Sequence, residues 1–137
     1  MTQEEKELLI KELCARLSYG VKVRYSSYIE FITCTLHSIN PIYNIVDLWS
    51  KDACFVSVNI SKIKPYLFPL SSMTEEEREE FRVVGGVMSH NVQNDSWAIS
   101  AFTPEAYDWL NAHHFDFRGL IPMGLALEAT EGMYKTE

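Results

Sequence analysis

The sequence predicts a single α+β domain covering residues 1–137. The expected architecture is a small antiparallel β-sheet of about four to six strands, packed with an N-terminal helix and a C-terminal helix. Three observations lead to it: an amphipathic helix pattern at the start, β-branched and aromatic segments as far as residue 60, and a strong helix start near residue 104. A chain of 137 residues, 47% of them hydrophobic, can bury a core without cross-links.

The first helix is predicted over residues 3–17. Thr2 and Glu5 form a capping-box pattern, and Gly20 is a natural stop. The apolar stripe that should face the core is Leu9, Leu13 and Leu17, widened by Ile10 and Cys14. The charged side chains expected to face solvent are Glu4, Lys6, Glu7, Lys11, Glu12 and Arg16.

Four strands are predicted between residues 20 and 60. The segments are "GVKVRY", "YIEFITCTLHSI", "IYNIVDLW" and "CFVSVNI", and "SINP" and "SKDA" interrupt them. Because the breaks are short, we expect an antiparallel meander with the first helix on one face.

The segment after residue 60 changes character. Pro65 and Pro69 are expected to prevent a regular central strand or a helix interior. The segment that contains Tyr66, Leu67, Phe68 and Leu70 is therefore predicted to be irregular or 3₁₀, lying across the sheet edge with these side chains buried. Thr74 and Glu77 repeat the capping-box pattern and begin a short, mostly polar helix that "VVGG" ends. Residues 83–96 are ambiguous, and "SWAIS" resembles a short strand.

The second clear helix is predicted over residues 104–114. Thr103 is the N-cap and Pro104 the first helical residue, while Phe102 can pack on Tyr107 as a hydrophobic staple. "DFRGLIPMG" is expected to form a further helical turn ending near Gly124, and "LALEA" a last short strand.

Charge and composition narrow the class of protein. The net charge of −7 disfavours a broad nucleic-acid surface. No apolar run approaches the length of a membrane span, and the acidic N-terminal segment lacks the pattern of a signal peptide, so we expect a cytoplasmic protein without a membrane association. The cysteines, Cys14, Cys34 and Cys54, are expected to be buried free thiols.

The stretch "WLNAHHFDFRGLI" (109–121) contains the side chains most suggestive of chemistry. On an ideal helix His113 and His114 diverge by about 100° and both border the apolar face, which favours a packing role with pH-sensitive rings at its edge. The alternative is a metal or catalytic cluster formed by His113, His114 and Asp116 with His90 or His37. The spacing matches no metal motif, and because no nucleophile elbow or phosphate loop occurs either, we assign no catalytic residue and no cofactor.

Six aromatic residues are candidates for a partner-binding surface: Tyr25, Tyr28, Tyr43, Trp49, Tyr66 and Trp97. Aromatic side chains with a polar tip are enriched at interfaces. The alternative that they are ordinary strand residues stays open.

Three blocks resemble known sequences: "LCARLSYGVKV" (13–23), "KPYLFPLSSMTEEE" (64–77) and "DWLNAHHFDFRGLIPMGLALEA" (108–129). They are similar to small uncharacterised proteins of Bacteroides-type gut bacteria and of their phages and mobile elements. The resemblance implies a cytoplasmic accessory protein of phage or prophage origin. It brings no activity, cofactor or site residue, and residues 25–60 lie outside it.

We therefore expect a non-enzymatic interaction module that binds a host or phage protein. Two alternatives remain: a self-associating structural protein of a mobile element, which would form homo-oligomers, and a small metal-binding protein or enzyme that uses the histidine and aspartate cluster.

Overall fold

The computed structural model describes residues 1–27, 30–51, 54–94, 96–101 and 103–134. The predicted interface residue Tyr28 and the predicted staple residue Phe102 lie outside these ranges. Within them the chain contains both α and β structure, which confirms the α+β class.

The N-terminal half contains one helix and four strands. Helix α1 (Gln3–Arg16) begins with the predicted capping box at Thr2, and a 3₁₀ turn, Leu17–Tyr19, follows it. The strands are β1 (Lys22–Ser26), β2 (Phe31–Asn40), β3 (Ile45–Ser50) and β4 (Cys54–Asn59). They pair in chain order and antiparallel, so the predicted meander is confirmed.

The C-terminal half is more interrupted. Its elements are β5 (Ile63–Pro69), α2 (Glu75–Val83), β6 (Gly86–Asn91), β7 (Ser96–Ala101), α3 (Pro104–Ala112), β8 (Phe115–Asp116) and β9 (Leu127–Glu128). Strands β6 and β7 form a separate antiparallel hairpin. The segment expected to form a helical turn after residue 116 consists of turns, closed by hydrogen bonds such as Leu125 N to Leu120 O.

The main sheet is larger than predicted, and it is not purely antiparallel. Seven of the described strands join it in the order β4-β3-β2-β1-β5-β8, with β9 also pairing with β5. β8 and β9 lie parallel to β5. β9 lies within the predicted strand "LALEA". The predicted sheet was too small because β5 was expected to be irregular and β8, with two residues, is too short to show alternation.

Strand β5 overturns the prediction that the two prolines prevent a regular strand. Its antiparallel pairing with β1 ends at Pro65, opposite Val23, and its parallel pairings on the other side begin at Tyr66. Pro69 is the last residue of the strand. Both prolines therefore lie where a ladder ends, so the strand tolerates residues that lack an N–H group.

The core beneath the sheet shows which face of α1 is buried. Leu9 and Leu13 are fully buried against Val23, Leu36 and Leu48. Two predictions about this helix are wrong: Cys14 is exposed, whereas Glu12 and Arg16 are buried. Leu9, Glu12, Leu13 and Arg16 follow the i, i+3, i+4, i+7 spacing of a single helix face, and Cys14 lies about 140° from Leu9. The spacing, rather than the residue type, decided burial.

Cys34 is a buried free thiol as predicted, and burial raises its pKa. None of the described helices is both long enough and apolar enough to cross a membrane.

Candidate functional site

The two adjacent histidines lie just beyond the end of α3. The helix stops at Ala112, earlier than predicted, and His113 follows as its C-cap. His114 adopts a left-handed backbone conformation, with φ of 62°. The chain thus turns sharply between them, and the helical-wheel directions expected for a helix to residue 114 do not apply.

His113 is anchored to its own helix. Its ring stacks on Trp109 with centroids 4.0 Å apart, and Nδ1 donates to the Trp109 carbonyl oxygen at 2.9 Å. Its Nε2 lies 4.0 Å from a carboxylate oxygen of Glu80, and its side chain is 39% exposed. This ring therefore borders the packed interior, as predicted, with one edge facing solvent.

His114 is buried beneath Tyr134. The two rings stack with centroids 3.5 Å apart, and Nδ1 of His114 has no hydrogen-bond partner among the residues that the structure describes. Burial, and then the positive charges of Arg16, His113 and Lys22, lower the pKa of His114 to about 4. The ring is consequently neutral at physiological pH.

Tyr134 joins the C-terminal segment to the sheet at the point where β1 and β5 separate. Its hydroxyl accepts from Lys22 N at 2.9 Å and donates to Tyr66 O at 2.6 Å. These are backbone groups just beyond the last β1–β5 pair, Val23 with Pro65. The hydroxyl thus bridges two strands that no longer bond to each other, and burial raises its pKa to about 12.

Both carboxylate oxygens of Asp116 accept hydrogen bonds from the backbone. They accept from the backbone N–H groups of Leu120 and Ile121, each at 2.9 Å, and the side chain is buried. Asp116 therefore orders the turn that follows β8.

A buried ionic network, missed by the sequence analysis, lies between α1 and this junction. Arg16 pairs with Glu12 at 3.3 Å and donates to the carbonyl oxygen of Phe115 at 2.6 Å. Arg118 contacts the other oxygen of Glu12. Burial lowers the pKa of Arg16, and the adjacent carboxylate of Glu12 opposes that effect.

The remaining metal candidates lie elsewhere. His90, in β6, stacks on Trp97 with centroids 4.4 Å apart, and His37, in β2, contacts Phe55. In the described parts of the chain, no three His, Cys, Asp or Glu side chains are arranged to hold a metal ion. The geometry therefore does not assemble the four candidates, His90, His113, His114 and Asp116.

A cleft of about 710 Å³ opens beside the histidine junction. His113 and His114 line it, together with three other rings and three carboxylates: Phe68, Phe115, Tyr134, Glu77, Glu128 and Glu131. The cleft thus combines apolar walls with negative charge.

The predicted aromatic surface is divided among several places. Tyr25 packs against the core, Tyr66 lies on β5, and Tyr43 is exposed in the β2–β3 turn. Trp97 lies in β7, beneath the guanidinium of Arg78. Of the described candidates, only Trp49 projects from the outer face of the meander, opposite the face that packs on α1.

Trp49 belongs to a group of rings beside strand β4, which we call the edge patch: His37, Trp49 and Phe55. Trp49 pairs directly with Phe55, whose ring contacts His37 with centroids 4.9 Å apart. Trp49 is 42% exposed and Phe55 is 62% exposed. Phe55 and His37 were not predicted as part of an interaction surface, although both alternate with the buried residues of their strands.

The edge patch adjoins the outermost described strand of the main sheet at this end, β4. β4 ends the order of the main sheet, and none of the described strands pairs with its outer side. Its sequence, "CFVSVN", contains no charge, proline or glycine. Natural proteins usually protect an edge with such residues or by shortening it, as β8 and β9 do at the opposite end.

No protein-family model, curated protein or solved structure matches this chain.

Proposed function

We propose that this protein is a non-enzymatic interaction module that binds an extended segment of another protein along strand β4. The observation that carries the proposal is the unprotected edge of β4 beside exposed aromatic rings. Added strands obtain affinity from main-chain hydrogen bonds and specificity from side-chain contacts on alternate residues. Here the edge would supply the hydrogen bonds, and Phe55 and Trp49 the apolar contacts.

The charge distribution also favours an uncharged, partly apolar partner strand. β4 has no charged side chain, and Asp47, which pairs with it through Ser57, accepts hydrogen bonds from Ser38 and Ser57. These hydrogen bonds lower the pKa of Asp47, which therefore stays ionised beside the patch. A partner segment with apolar residues at alternate positions and no acidic residue opposite Ser57, the β4 residue that pairs with Asp47, fits this surface.

The cellular context of the proposal comes from the sequence. Blocks 13–23, 64–77 and 108–129 resemble proteins of gut bacteria and their mobile elements, which supports a cytoplasmic accessory role toward a host or phage protein.

The test compares the wild-type chain with Phe55→Lys, which adds a charge at the edge. Val92→Lys is the matched control, because Val92 is 82% exposed in the β6–β7 turn. Proteins captured from host lysate by the wild type and Val92→Lys, but not by Phe55→Lys, are purified in complex. We expect slower amide hydrogen exchange over residues 54–59 in the complex.

Two results would contradict the proposal. One is undiminished capture by Phe55→Lys, and the other is protection confined to segments away from β4. Sedimentation analysis separates the self-association alternative, because a wild-type dimer that Phe55→Lys abolishes would assign the edge to a second copy of the chain.

A further inference from the structure

The cleft beside the histidine junction has the size and walls of a ligand site. Its volume of about 710 Å³ lies within the range of about 300–1,000 Å³ usual for small-molecule sites. Phe68, Phe115 and Tyr134 form apolar walls. These rings are held in place by contacts with one another, such as Phe68 with Tyr134 at 6.0 Å between centroids.

Apart from its two histidines, the ionisable lining of the described cleft is acidic or phenolic. Glu77, Glu128 and Glu131 line it, and no lysine or arginine occurs among the described residues of its lining. Glu77 accepts a hydrogen bond from Thr74 N as part of the α2 cap, which leaves its negative charge in place. Glu128 and Glu131 are exposed, and their carboxylates have no cation in the described lining to offset them.

His114 contributes a buried polar side chain to the wall. It lines the cleft while only 5% exposed, and its Nδ1 has no hydrogen-bond partner among the described residues. The nearby cations are already engaged: Arg16 bonds Glu12 and the Phe115 carbonyl, and Nζ of Lys22 donates to Met133 O at 2.6 Å. A neutral imidazole in the wall also adds no positive charge that would oppose a cationic ligand.

We infer that the cleft binds an organic cation, an ammonium or guanidinium group carried on an apolar stem. The stem packs on the aromatic rings, which also attract a cation over their faces. The charged head pairs with the carboxylates of Glu128 and Glu131. The ligand is either a free amine or a lysine or arginine side chain of another protein, since both present the same chemistry.

The inference does not depend on binding at β4, because the cleft and the edge patch share no residue. The experiment is an NMR titration of the full-length, isotope-labelled chain at constant ionic strength. The probes are spermidine, blocked Gly-Lys-Gly and Gly-Arg-Gly peptides, and succinate as a ligand of opposite charge. The cleft variant is Glu128→Gln with Glu131→Gln, and the control is Glu4→Gln with Glu7→Gln, two exposed carboxylates on α1.

We expect saturable amide shifts at residues 114–115 and 128–134 with the amines but not with succinate. The cleft variant should weaken binding by at least about fivefold and the control by less than about twofold. If the peptides bind more tightly than spermidine, the ligand is a lysine or arginine side chain of a partner protein. If spermidine binds more tightly, the ligand is a free amine. The absence of saturable shifts with every amine, or equal affinity in the cleft variant, would overturn the inference.

Discussion

His114 is kept neutral by its surroundings in the folded protein. Its ring lies under Tyr134, and three cationic or protonatable groups, Arg16, His113 and Lys22, face it. Protonating it would place an additional charge in a buried position, where the described charges that act on it are all positive. Tyr134, in turn, bonds backbone groups of β1 and β5, so this one pair of rings joins the C-terminal segment to the sheet.

The first prediction concerns pH. The pKa of His114 is about 4 when folded against an ordinary value of 6.5, so the unfolded state binds the proton more readily. The free energy of unfolding therefore keeps its full value above pH 6.5. It decreases as the pH falls toward 4, by about 3 kcal/mol in all. His114→Asn, which tolerates the left-handed backbone, should lose less stability over this range. Urea unfolding at several pH values measures the free energy of unfolding, and His37→Asn, at an exposed histidine, is the control. If the curves of unfolding free energy against pH are parallel for the wild type and His114→Asn, the prediction is contradicted.

The second prediction concerns the hydroxyl of Tyr134. Tyr134→Phe leaves Lys22 N–H and Tyr66 C=O without their bridge, so the free energy of unfolding should fall by about 1–3 kcal/mol. Tyr43→Phe, at a tyrosine that is 69% exposed, should change it by less than about 0.5 kcal/mol. Urea denaturation measures both, and equal effects of the two variants would rule out the bridging role.

At the scale of elements, the connection between α2 and β6 depends on the close contact of Phe81 with Gly86. Helix α2 ends beside Gly86, the first residue of β6, and Phe81 packs directly over that glycine. Phe81 in turn contacts Trp109 of α3, with centroids 5.5 Å apart. The N-cap Thr103 of α3 also donates its hydroxyl proton to Val84 O, after α2. The hairpin and both helices therefore pack around a single ring.

The third prediction tests this packing. In Gly86→Ala the added Cβ would lie 2.2–2.4 Å from atoms of the Phe81 ring, so the ring must move. Unfolding free energy should decrease by about 1–3 kcal/mol, and Trp109 fluorescence should change because its neighbour shifts. Ser89→Ala, an exposed position of the same strand, is the control and should alter neither. Unchanged fluorescence and stability in Gly86→Ala would show that the Phe81 ring does not require glycine at position 86.

At the scale of the whole molecule, the Glu12–Arg16–Arg118 network links the first helix to the last third of the chain. Separate apolar clusters lie under the meander and around α2 and α3. Arg16 extends from α1 to the carbonyl of Phe115, which belongs to the second cluster. The network thus orients the two halves by directional bonds, although its charges incur a desolvation cost.

The fourth prediction separates these two effects. Glu12→Leu leaves Arg16 buried without its carboxylate and should decrease the free energy of unfolding by about 3–5 kcal/mol. Glu12→Leu with Arg16→Met removes both charges and should recover at least about 1 kcal/mol of that loss, since Arg118 is partly exposed and can turn to solvent. Urea denaturation of both variants measures the difference. A double variant less stable than the single one would contradict this account.

Local pattern predicted the elements that depend on local interactions. Both capping boxes, the Thr103 cap, the four-stranded meander and the α+β class follow from residue spacing, and the structure has all of them. The same reasoning failed at α1, where Glu12 and Arg16 follow the core spacing but were assigned to the surface by residue type.

The sequence by itself determined the fold class, the helix starts and the alternation of the first four strands, because these arise from interactions within a few residues. Tertiary structure decided the rest. It placed Pro65 and Pro69 at ladder ends, turned the chain at His114, buried the ionic network and left the outer side of β4 without a partner among the described strands. Each of these outcomes depends on groups distant in sequence, such as Arg16 with Phe115 or Tyr134 with Lys22, whose proximity local spacing does not encode.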